Sequence, residues 1–348
     1  MYDCIRPGQI WLDTNGKRIQ AHGGSVMYVD GVYYWYGENK EFTVGDGALW
    51  HWGVRCYSST DLYNWKDEGL IIPPEPDDPA SPLHPTACMD RPHIIYNAQT
   101  KKFVCWIKVM SKFGQRSTVL TADHILGPYT KARQNLRPLN MDAGDFDLVV
   151  APDGKAYYYF ERVHSETICA DLTDDYTDVT GYYSTHFPHP YPPYVREATA
   201  HFLRKGKHYL ITSGTTGYLP NPSEIAIADS WHGPFRVLGD PHPDDPSRTS
   251  FHSQVSSVFK VPGKKDLYIA IADRWVPEHM DLEYEEYARF FAERFNPDFD
   301  GTPMDGTKFG DDFKRNTAIA DYVWLPFRFD GEMAYLDWKD SWRIEDYE

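Results

Sequence analysis

The sequence of 348 residues contains no long hydrophobic run and is poor in positive charge. No apolar stretch approaches the roughly 18 residues that a membrane-spanning helix needs. Its 35 lysine and arginine residues stand against 51 aspartate and glutamate residues, which gives a net charge of −16. Nucleic acids and anionic membranes are bound through basic patches that release counterions. The composition therefore argues against both partners and favours an uncharged ligand.

Cysteine is also scarce. The five cysteines are an odd number without paired spacing, which argues against a disulfide or zinc framework. The first residues, Met1-Tyr2-Asp3-Cys4-Ile5-Arg6, lack the charged segment and apolar core of a signal peptide. We therefore expect a cytoplasmic protein with reduced thiols, and a secreted protein trimmed of its signal peptide is the alternative.

Aromatic residues, in contrast, are abundant. They make up 16% of the chain and include 25 tyrosines. Such rings suit half-buried strands, and they also stack on sugars. Most of them are expected to pack between neighbouring sheets.

One pattern occurs five times along the chain: a polar residue opens an apolar run, and a turn and an aromatic strand follow. Asp-Gly turns such as Asp30-Gly31 are strong hairpin signals. Repeats of roughly 50 to 60 residues are typical of a β-propeller. We predict an all-β fold, a single-domain five-bladed propeller over residues 1–348. Its five innermost strands would begin at His22–Met27, Asp90–Ile95, Asp145–Val150, the segment around Glu197, and Gln254–Phe259.

The polar residues that open these strands are expected to converge, because innermost propeller strands begin near the central channel. Glu197 is the most informative of them. On an isolated strand it would form a salt bridge to Arg196 or another neighbour, but the repeat makes it a candidate for a site.

One segment interrupts the repeat in the last blade. From Met280 to Phe295, aromatic residues recur at helical spacing opposite several glutamates. We predict a short helical insertion at about residues 278–312. It would dock on the last blade, cover the rim of a pocket, or provide an oligomer contact.

Short segments along the chain match, in order, the motifs of one enzyme family. The more specific ones are Glu197-Ala198, Thr215-Thr216-Gly217 and Asp273-Arg274-Trp275. The remaining segments are Ile19–Gly24, Tyr34–Lys40, Asp61–Trp65, Asp90–Asn97, Gly144-Asp145, Tyr218–Pro222 and Ser253-Gln254. Through these residues the sequence resembles glycoside hydrolase family 43, above all its branch of exo-β-1,3-galactanases and related exo-galactosidases.

The resemblance implies an exo-acting, inverting hydrolase that releases a terminal sugar from a galactan or arabinogalactan-type glycan. Inversion needs an acid for the leaving oxygen and a base that activates water on the opposite face of the sugar. Glu197 matches the general acid. Asp145 matches the aspartate that modulates the pKa of the acid, and Asp147, two residues further along the strand, is the backup assignment.

The resemblance leaves the base open. Most of family 43 has an aspartate at the opening of the first blade, where this sequence has His22-Gly23-Gly24. The branch carries a glutamine in the fifth blade, which Gln254 matches, for positioning water or as an unusual base through its imidic acid form. Asp90 is a candidate base or sugar ligand, and His22 and Glu38 are further candidate bases.

The same comparison implies a set of substrate-binding residues. Two of them depart from the branch, since Phe113 and Tyr218 stand where it usually has tyrosine and tryptophan. A β-D-galactofuranosidase or an α-L-arabinofuranosidase is therefore an alternative function. The full set is His22, Glu38, Arg91, Phe113, Thr215, Tyr218 and Arg274.

Two other classes of protein compete with a hydrolase. The missing first-blade aspartate suggests a non-catalytic carbohydrate-binding propeller, and the acidic helix suggests an interaction propeller. The pairing of an acid with a modulator favours hydrolysis. The expected partner is an oligosaccharide or polysaccharide, with an oligomer contact possible through the insertion. No cofactor is expected to be required and no metal ligands are assigned, with a structural calcium near His22 or His252 as the alternative.

Overall fold

The computed structural model describes residues 1–348, which form five antiparallel sheets of four strands each. The first sheet consists of β1 (His22–Val29), β2 (Val32–Glu38), β3 (Val54–Ser59) and β4 (Lys66–Ile72). The second consists of β5 (Cys88–Asn97), β6 (Lys102–Ser111), β7 (Gly114–Ala122) and β8 (Thr130–Leu136). The third consists of β9 (Ala143–Val150), β10 (Ala156–Arg162), β11 (Glu166–Leu172) and β12 (Val179–His186).

The last two sheets have the same strand order. The fourth consists of β13 (Arg196–Arg204), β14 (Lys207–Gly214), β15 (Glu224–Ala228) and β16 (Arg236–Gly239). The fifth consists of β17 (Gln254–Lys260), β18 (Tyr268–Arg274), β19 (Asp321–Asp330) and β20 (Met333–Leu336). The innermost strands β1, β5, β9, β13 and β17 contact one another in a closed ring. The prediction of an all-β, five-bladed propeller is confirmed, and the predicted openings fall within the first residues of these five strands.

Large aromatic side chains fill the spaces between the blades. Trp35, Trp65 and Trp324 are fully buried between the first and fifth blades. Trp106 and Tyr158 pack with ring centroids 4.8 Å apart between the second and third blades. Burial of one such side chain stabilises a fold by roughly 1.5–3 kcal/mol, so the aromatic content of the sequence mainly serves packing between blades, as expected.

The ring is closed by the two ends of the chain rather than by a blade that both ends share. Ile5 and Trp342 form a β-bridge, and the amide of Gly8 donates to the carbonyl oxygen of Tyr322 at 2.7 Å. The Trp11 ring lies 5.2 Å from that of Trp324 across the same junction. The repeat pattern did not predict this closure.

The predicted insertion lies between β18 and β19. It contains the helix α1 (Tyr284–Phe295) and four short 3-10 helices at Pro277–His279, Thr307–Phe309, Asp312–Lys314 and Thr317–Ile319. Two more 3-10 helices lie elsewhere, at Pro138–Asn140 and Ile344–Asp346. No helix combines the length and the apolar character that crossing a membrane would require.

The helix α1 forms where the sequence predicted it. Acidic residues in its first turn and Arg294 in its last turn complement the helix dipole. Pro297 follows shortly after its end and cannot continue it. Its buried Tyr287 packs in a cluster with Leu219 and Trp275, so the insertion docks on the fourth blade as well as on the last.

Candidate active site

Each innermost strand is irregular at the end where its polar residue stands. The pairing register of all five strands shifts within the first residues, which is the mark of a β-bulge. In three blades the residue after the polar one has a positive φ: Gly23 at 60°, Arg91 at 54° and Ala198 at 48°. Bulges bend a strand and turn its side chains to a new direction. The repeat therefore builds similar side-chain positions around the channel mouth.

A cavity of about 240 Å³ opens at this end of the channel. All five blades and the insertion contribute to its walls. A larger, mostly apolar cavity of about 760 Å³ lies at the opposite ends of β1, β5 and β9 and contains none of the predicted site residues. The candidate chemistry is therefore confined to the smaller cavity.

Eight of the eleven predicted site residues line the smaller cavity, and three do not. Those that line it are Glu38, Asp90, Arg91, Asp145, Glu197, Thr215, Tyr218 and Gln254. The three others are His22, Phe113 and Arg274, and the expectation that all five polar openings converge holds for four blades only.

The first blade breaks the pattern because His22 is wholly buried. Its Nδ1 lies 2.9 Å from Oδ1 of Asp273, and its ring stacks on Tyr322 with centroids 4.9 Å apart. Its Nε2 lies 3.2 Å from Oε1 of Gln20. Protein groups thus engage both ring nitrogens, so His22 does not reach a sugar in the cavity. A structural calcium near His22 or His252 stays a prediction.

The other two residues outside the cavity also have clear positions. Arg274 donates to the carbonyl oxygen of Phe251 at 2.9 Å, and its guanidinium lies against Gly8. Phe113 is 74% exposed in the turn between β6 and β7. Neither side chain lines the cavity, which corrects the expectation that both contact a sugar there. A match to a position of the family locates a residue in the chain without fixing the direction of its side chain.

Asp147, the backup for Asp145, also points away from the cavity. Its Oδ2 accepts from the amide of His201 at 2.6 Å, and its Oδ1 lies 3.0 Å from Nε2 of His93. Burial raises its pKa to about 7. Alternation along a regular strand places residues two apart on one side, but the bulge near Gly144 interrupts it. Only Asp145 faces the site.

Glu197 is the carboxyl group whose environment best suits a proton donor. Desolvation by the surrounding protein, then the charges of Asp145 and Glu161, raise its pKa well above the usual range. Lys108 and Arg91 offset this effect only in part. Its Oε1 lies within 3.4 Å of Nε2 of Gln254, which donates to it.

Asp145 has the opposite environment. Burial alone would raise its pKa, but Arg91 and Lys108 lower it to about 2. Nζ of Lys108 lies 2.7 Å from Oδ1, and Nη2 of Arg91 lies 3.0 Å from Oδ2. Asp145 is therefore charged near neutrality and opposes the ionisation of Glu197. Two carboxyl groups with pKa values separated in this way are a common arrangement for acid catalysis.

Gln254 is held in one orientation by its neighbours. Arg91 donates to its Oε1 at 2.5 Å, and its Nε2 donates to the hydroxyl of Ser213 at 2.9 Å. A guanidinium group can only donate hydrogen bonds. The oxygen of Gln254 is therefore kept as an acceptor, which favours the ordinary amide over the imidic acid form.

Asp90 and Glu38 complete the polar side of the cavity. Asp90 accepts from the indole of Trp50 at 2.7 Å and lies 3.3 Å from Nζ of Lys108. Glu38 accepts from the amide of Arg91 at 2.9 Å and pairs with Nζ of Lys40 at 2.8 Å. Burial raises the pKa of Glu38 to about 7 although Lys40 opposes the rise.

Several residues of the site were not predicted from the sequence, and Lys108 is the most important of them. A signal for it exists in the strand pairing. The second strand of a blade places a polar residue opposite the opening of the first: Lys108 faces Asp90, and Ser213 faces Glu197. Reading the hairpins in pairs would have identified Lys108.

Glu161 was missed as well. It is almost fully buried, its Oε1 accepts from the amide of His164 at 2.7 Å, and it has no cationic partner. A Cβ atom at Gly144 would lie 2.0 Å from its Oε2, so the glycine makes room for this carboxyl group. Burial and then Asp145 raise its pKa to about 7. Three carboxyl groups, Glu197, Asp145 and Glu161, thus influence one another.

An aromatic wall faces the polar residues. Tyr218 packs with its ring centroid 5.9 Å from Trp50 and 5.0 Å from Trp275. Aromatic faces of this kind suit the C–H side of a sugar, while carboxylate, guanidinium and amide groups bind its hydroxyls. The remaining aromatic residues of the wall belong to the insertion: Phe291, Phe295 and Phe313.

No group of three or more histidine, cysteine, aspartate or glutamate side chains is arranged to hold a metal ion. The cavity offers instead a proton-holding carboxyl group, a charged partner beside it, and polar and aromatic walls. Together the fold and this cavity define a glycoside hydrolase of the five-bladed propeller class.

The chain belongs to family 43 of the glycosyl hydrolases, because the sequence model of "Glycosyl hydrolases family 43" matches residues 18–285. The resemblance deduced from the motifs is thereby confirmed. No curated protein matches the sequence.

Three solved structures show how far the similarity extends. A GH43 β-1,3-galactosidase is 28% identical over 99% of this chain, with a TM-score of 0.77. A second, solved with galactodeoxynojirimycin, is 29% identical over 98% of this chain and 100% of its own, also at 0.77. An exo-β-1,3-galactanase from Clostridium thermocellum is 27% identical over 98% of this chain, with a TM-score of 0.74. The chain spans 65% of the length of the first protein and 66% of the third.

Proposed function

We propose that the protein is an exo-acting, inverting hydrolase that releases terminal galactose from a β-1,3-galactan or arabinogalactan-type glycan. The observation that carries the proposal is the placement of Glu197, whose pKa is raised beside the charged Asp145 in a small cavity. The similar proteins described as β-1,3-galactosidases and as an exo-β-1,3-galactanase support the choice of sugar.

The size of the cavity supports action at a chain end. Its volume of about 240 Å³ is below the roughly 300–1,000 Å³ of sites for drug-sized ligands. Blades and insertion together line it, so its inner part takes one terminal sugar rather than the middle of a polymer, and the rest of the substrate extends toward its mouth. The acidic residues around it also disfavour a negatively charged sugar.

In the proposed reaction, Glu197 gives its proton to the glycosidic oxygen as the bond from that oxygen to C1 breaks. A water molecule attacks C1 from the opposite face of the ring and loses a proton to a base, which yields the inverted sugar. The charged Asp145 keeps Glu197 protonated before the reaction. No cofactor takes part in these steps.

We assign the base to Asp90. The pKa of Asp145 is lowered to about 2, which makes it a weak base. Glu38 and Asp90 both have protein partners, but the side chain of Asp90 is 13% exposed against 2% for Glu38, so water reaches Asp90 more readily. Gln254 is held as an amide by Arg91 and retains one free acceptor position on its oxygen, which suits it to orient the water. If Asp90 is the base, azide should restore activity to Asp90→Ala and should not restore it to Gln254→Ala.

Two earlier expectations stay predictions. They are the cytoplasmic location and the oligomer contact through the insertion, which both await measurement in cells and in solution. The substrate partner, in contrast, follows from the family: a glycan.

The test of the function is sugar release from β-1,3-galactobiose, 4-nitrophenyl β-D-galactofuranoside and 4-nitrophenyl α-L-arabinofuranoside by wild type and Glu197→Gln. We expect galactose from the first substrate, with the α-anomer appearing first by NMR. Turnover of a furanoside alone would show that the substrate is a furanoside, and would leave the assignment of Glu197 as the acid unchanged. Silence on all three, with saturable galactobiose binding, would support a carbohydrate-binding propeller instead.

A further inference from the structure

The helix α1 carries two aromatic rings on the side that faces the cavity. Phe291 and Phe295 are one helical turn apart, and their rings are nearly parallel, with 6.1 Å between centroids and 6° between planes. The ring of His164 from the third blade packs nearly perpendicular to that of Phe295, with centroids 4.9 Å apart. Neither phenylalanine is fully buried. The two rings form an apolar strip along one wall.

This strip is held firmly in place. On the same helix, Tyr287 is fully buried and its hydroxyl donates to the carbonyl oxygen of Pro220 in the fourth blade. Phe290 turns the other way and packs on Phe309 inside the insertion, with centroids 5.5 Å apart. The helix therefore cannot rotate its aromatic face away without losing these contacts.

A second part of the insertion is fixed across the cavity. Oδ2 of Asp312 accepts from the amide of Tyr218 at 3.3 Å, and its Oδ1 accepts from Nε of Arg315 at 2.7 Å. The neighbouring Phe313 reaches Trp50 in the first blade at 5.3 Å. The insertion thus lines the cavity from the third blade to the first.

The depth of the two walls differs. Glu197 and Gln254 open the innermost strands at the channel, whereas Phe291 and Phe295 come from a segment that leaves the propeller after β18. A terminal sugar cleaved at Glu197 occupies the inner part, so its leaving group extends toward the strip. No charged residue of α1 lines the cavity, which suits an uncharged sugar.

We infer that Phe291 and Phe295 form the binding platform for the leaving-group sugars of the substrate, so that the insertion selects oligosaccharides over single sugars. The inference rests on the proposed function. Stacking on an aromatic face favours the C–H side of a pyranose ring. The second ring adds to the apolar surface that the first presents along this wall.

The test measures binding without turnover, in the Glu197→Gln background, with galactose and β-1,3-galactotriose as probes. Adding Phe291→Ala and Phe295→Ala together is expected to raise the Kd for galactotriose about tenfold, the equivalent of one or two aromatic contacts. The Kd for galactose is expected to stay the same. Tyr284→Ala is the control, because it removes a ring from the same helix that packs on Tyr287 and does not line the cavity.

Each contrary result has a distinct meaning. An equal rise in both Kd values would place the rings at the terminal sugar and overturn the inference. The same would follow if Tyr284→Ala weakened galactotriose binding as much as the double change, or if the double change had no effect. Failure of both sugars to bind the parent Glu197→Gln protein would overturn the proposed function together with the inference.

Discussion

The first and fourth blades open in the same way but use the opening differently. His22 and Glu197 both pair with the end of the neighbouring strand, and both precede a residue with positive φ. His22 is sealed between Asp273 and Tyr322, whereas Glu197 lines the cavity. The same backbone irregularity thus supports packing in one blade and a candidate acid in another.

The difference shows what a repeat can and cannot specify. A β-bulge determines where a side chain begins and its general direction. The neighbouring blades then determine its surroundings. His22 meets one carboxylate that it can hydrogen-bond, whereas Glu197 meets Asp145 and Glu161, with which it shares no hydrogen bond in the structure.

The largest expected effect comes from removing the acid. Glu197→Gln should lower kcat on β-1,3-galactobiose by about 10³-fold or more, since general acid catalysis contributes about 10²–10⁴-fold. A substrate with a 2,4-dinitrophenol leaving group needs no proton, so its turnover should fall far less. Comparable losses on both substrates would show that Glu197 does not act as the acid.

His22→Ala should affect stability rather than chemistry. Without the imidazole, the buried carboxylate of Asp273 keeps the amide of Gly23 as its remaining hydrogen-bond partner. Leaving a buried charged group without its partner costs about 3 kcal/mol. Urea unfolding measures the loss. A variant of unchanged stability that has lost activity would contradict the structural role of His22.

Substitutions at the bulge residues Gly23 of the first blade and Ala198 of the fourth should change the free energy of unfolding in opposite directions. Gly23→Ala adds a Cβ at a φ of 60° and 2.4 Å from Oε1 of Glu38, so it should destabilise by about 2 kcal/mol. Ala198→Gly relieves the strain of a φ of 48° and should raise the free energy of unfolding by about 0.5–1 kcal/mol. Thermal unfolding of both variants gives the comparison, and equal signs would show that the two bulges are not equivalent.

The smallest effect is expected from Glu161, the carboxyl group of the third blade that, with Asp145, raises the pKa of Glu197. In Glu161→Gln, a charge that opposes the ionisation of Glu197 is gone, so the pKa of Glu197 falls. The alkaline limb of kcat/KM, which requires protonated Glu197, should move about 0.5–1 pH unit lower. Glu166→Gln, at a surface pair with Arg162, is the matched control. A loss of rate without movement of the limb would assign Glu161 a purely structural role.

Much of the fold and part of the site could be predicted from the sequence. The five openings, the turns and the insertion follow local patterns, and the motifs around Glu197 and Asp145 predict an acid and its modulator, two residues that the structure places in the same cavity. Lys108 and Glu161 were not predicted, because their places in the site depend on residues elsewhere in the chain. Lys108 faces Asp90 through strand pairing, and Glu161 fits beside Gly144 because the glycine has no side chain. Asp147 was ambiguous because a bulge cancels the alternation used to place it.

The sequence by itself determined the number of blades, the openings of the innermost strands and the residues that can donate a proton, because periodicity and turn chemistry act over a few residues. Only the tertiary structure decided which openings face the cavity, how the ends of the chain close the ring, and that the insertion reaches the site. These features depend on contacts between blades, where burial and neighbouring charges outweigh local preference.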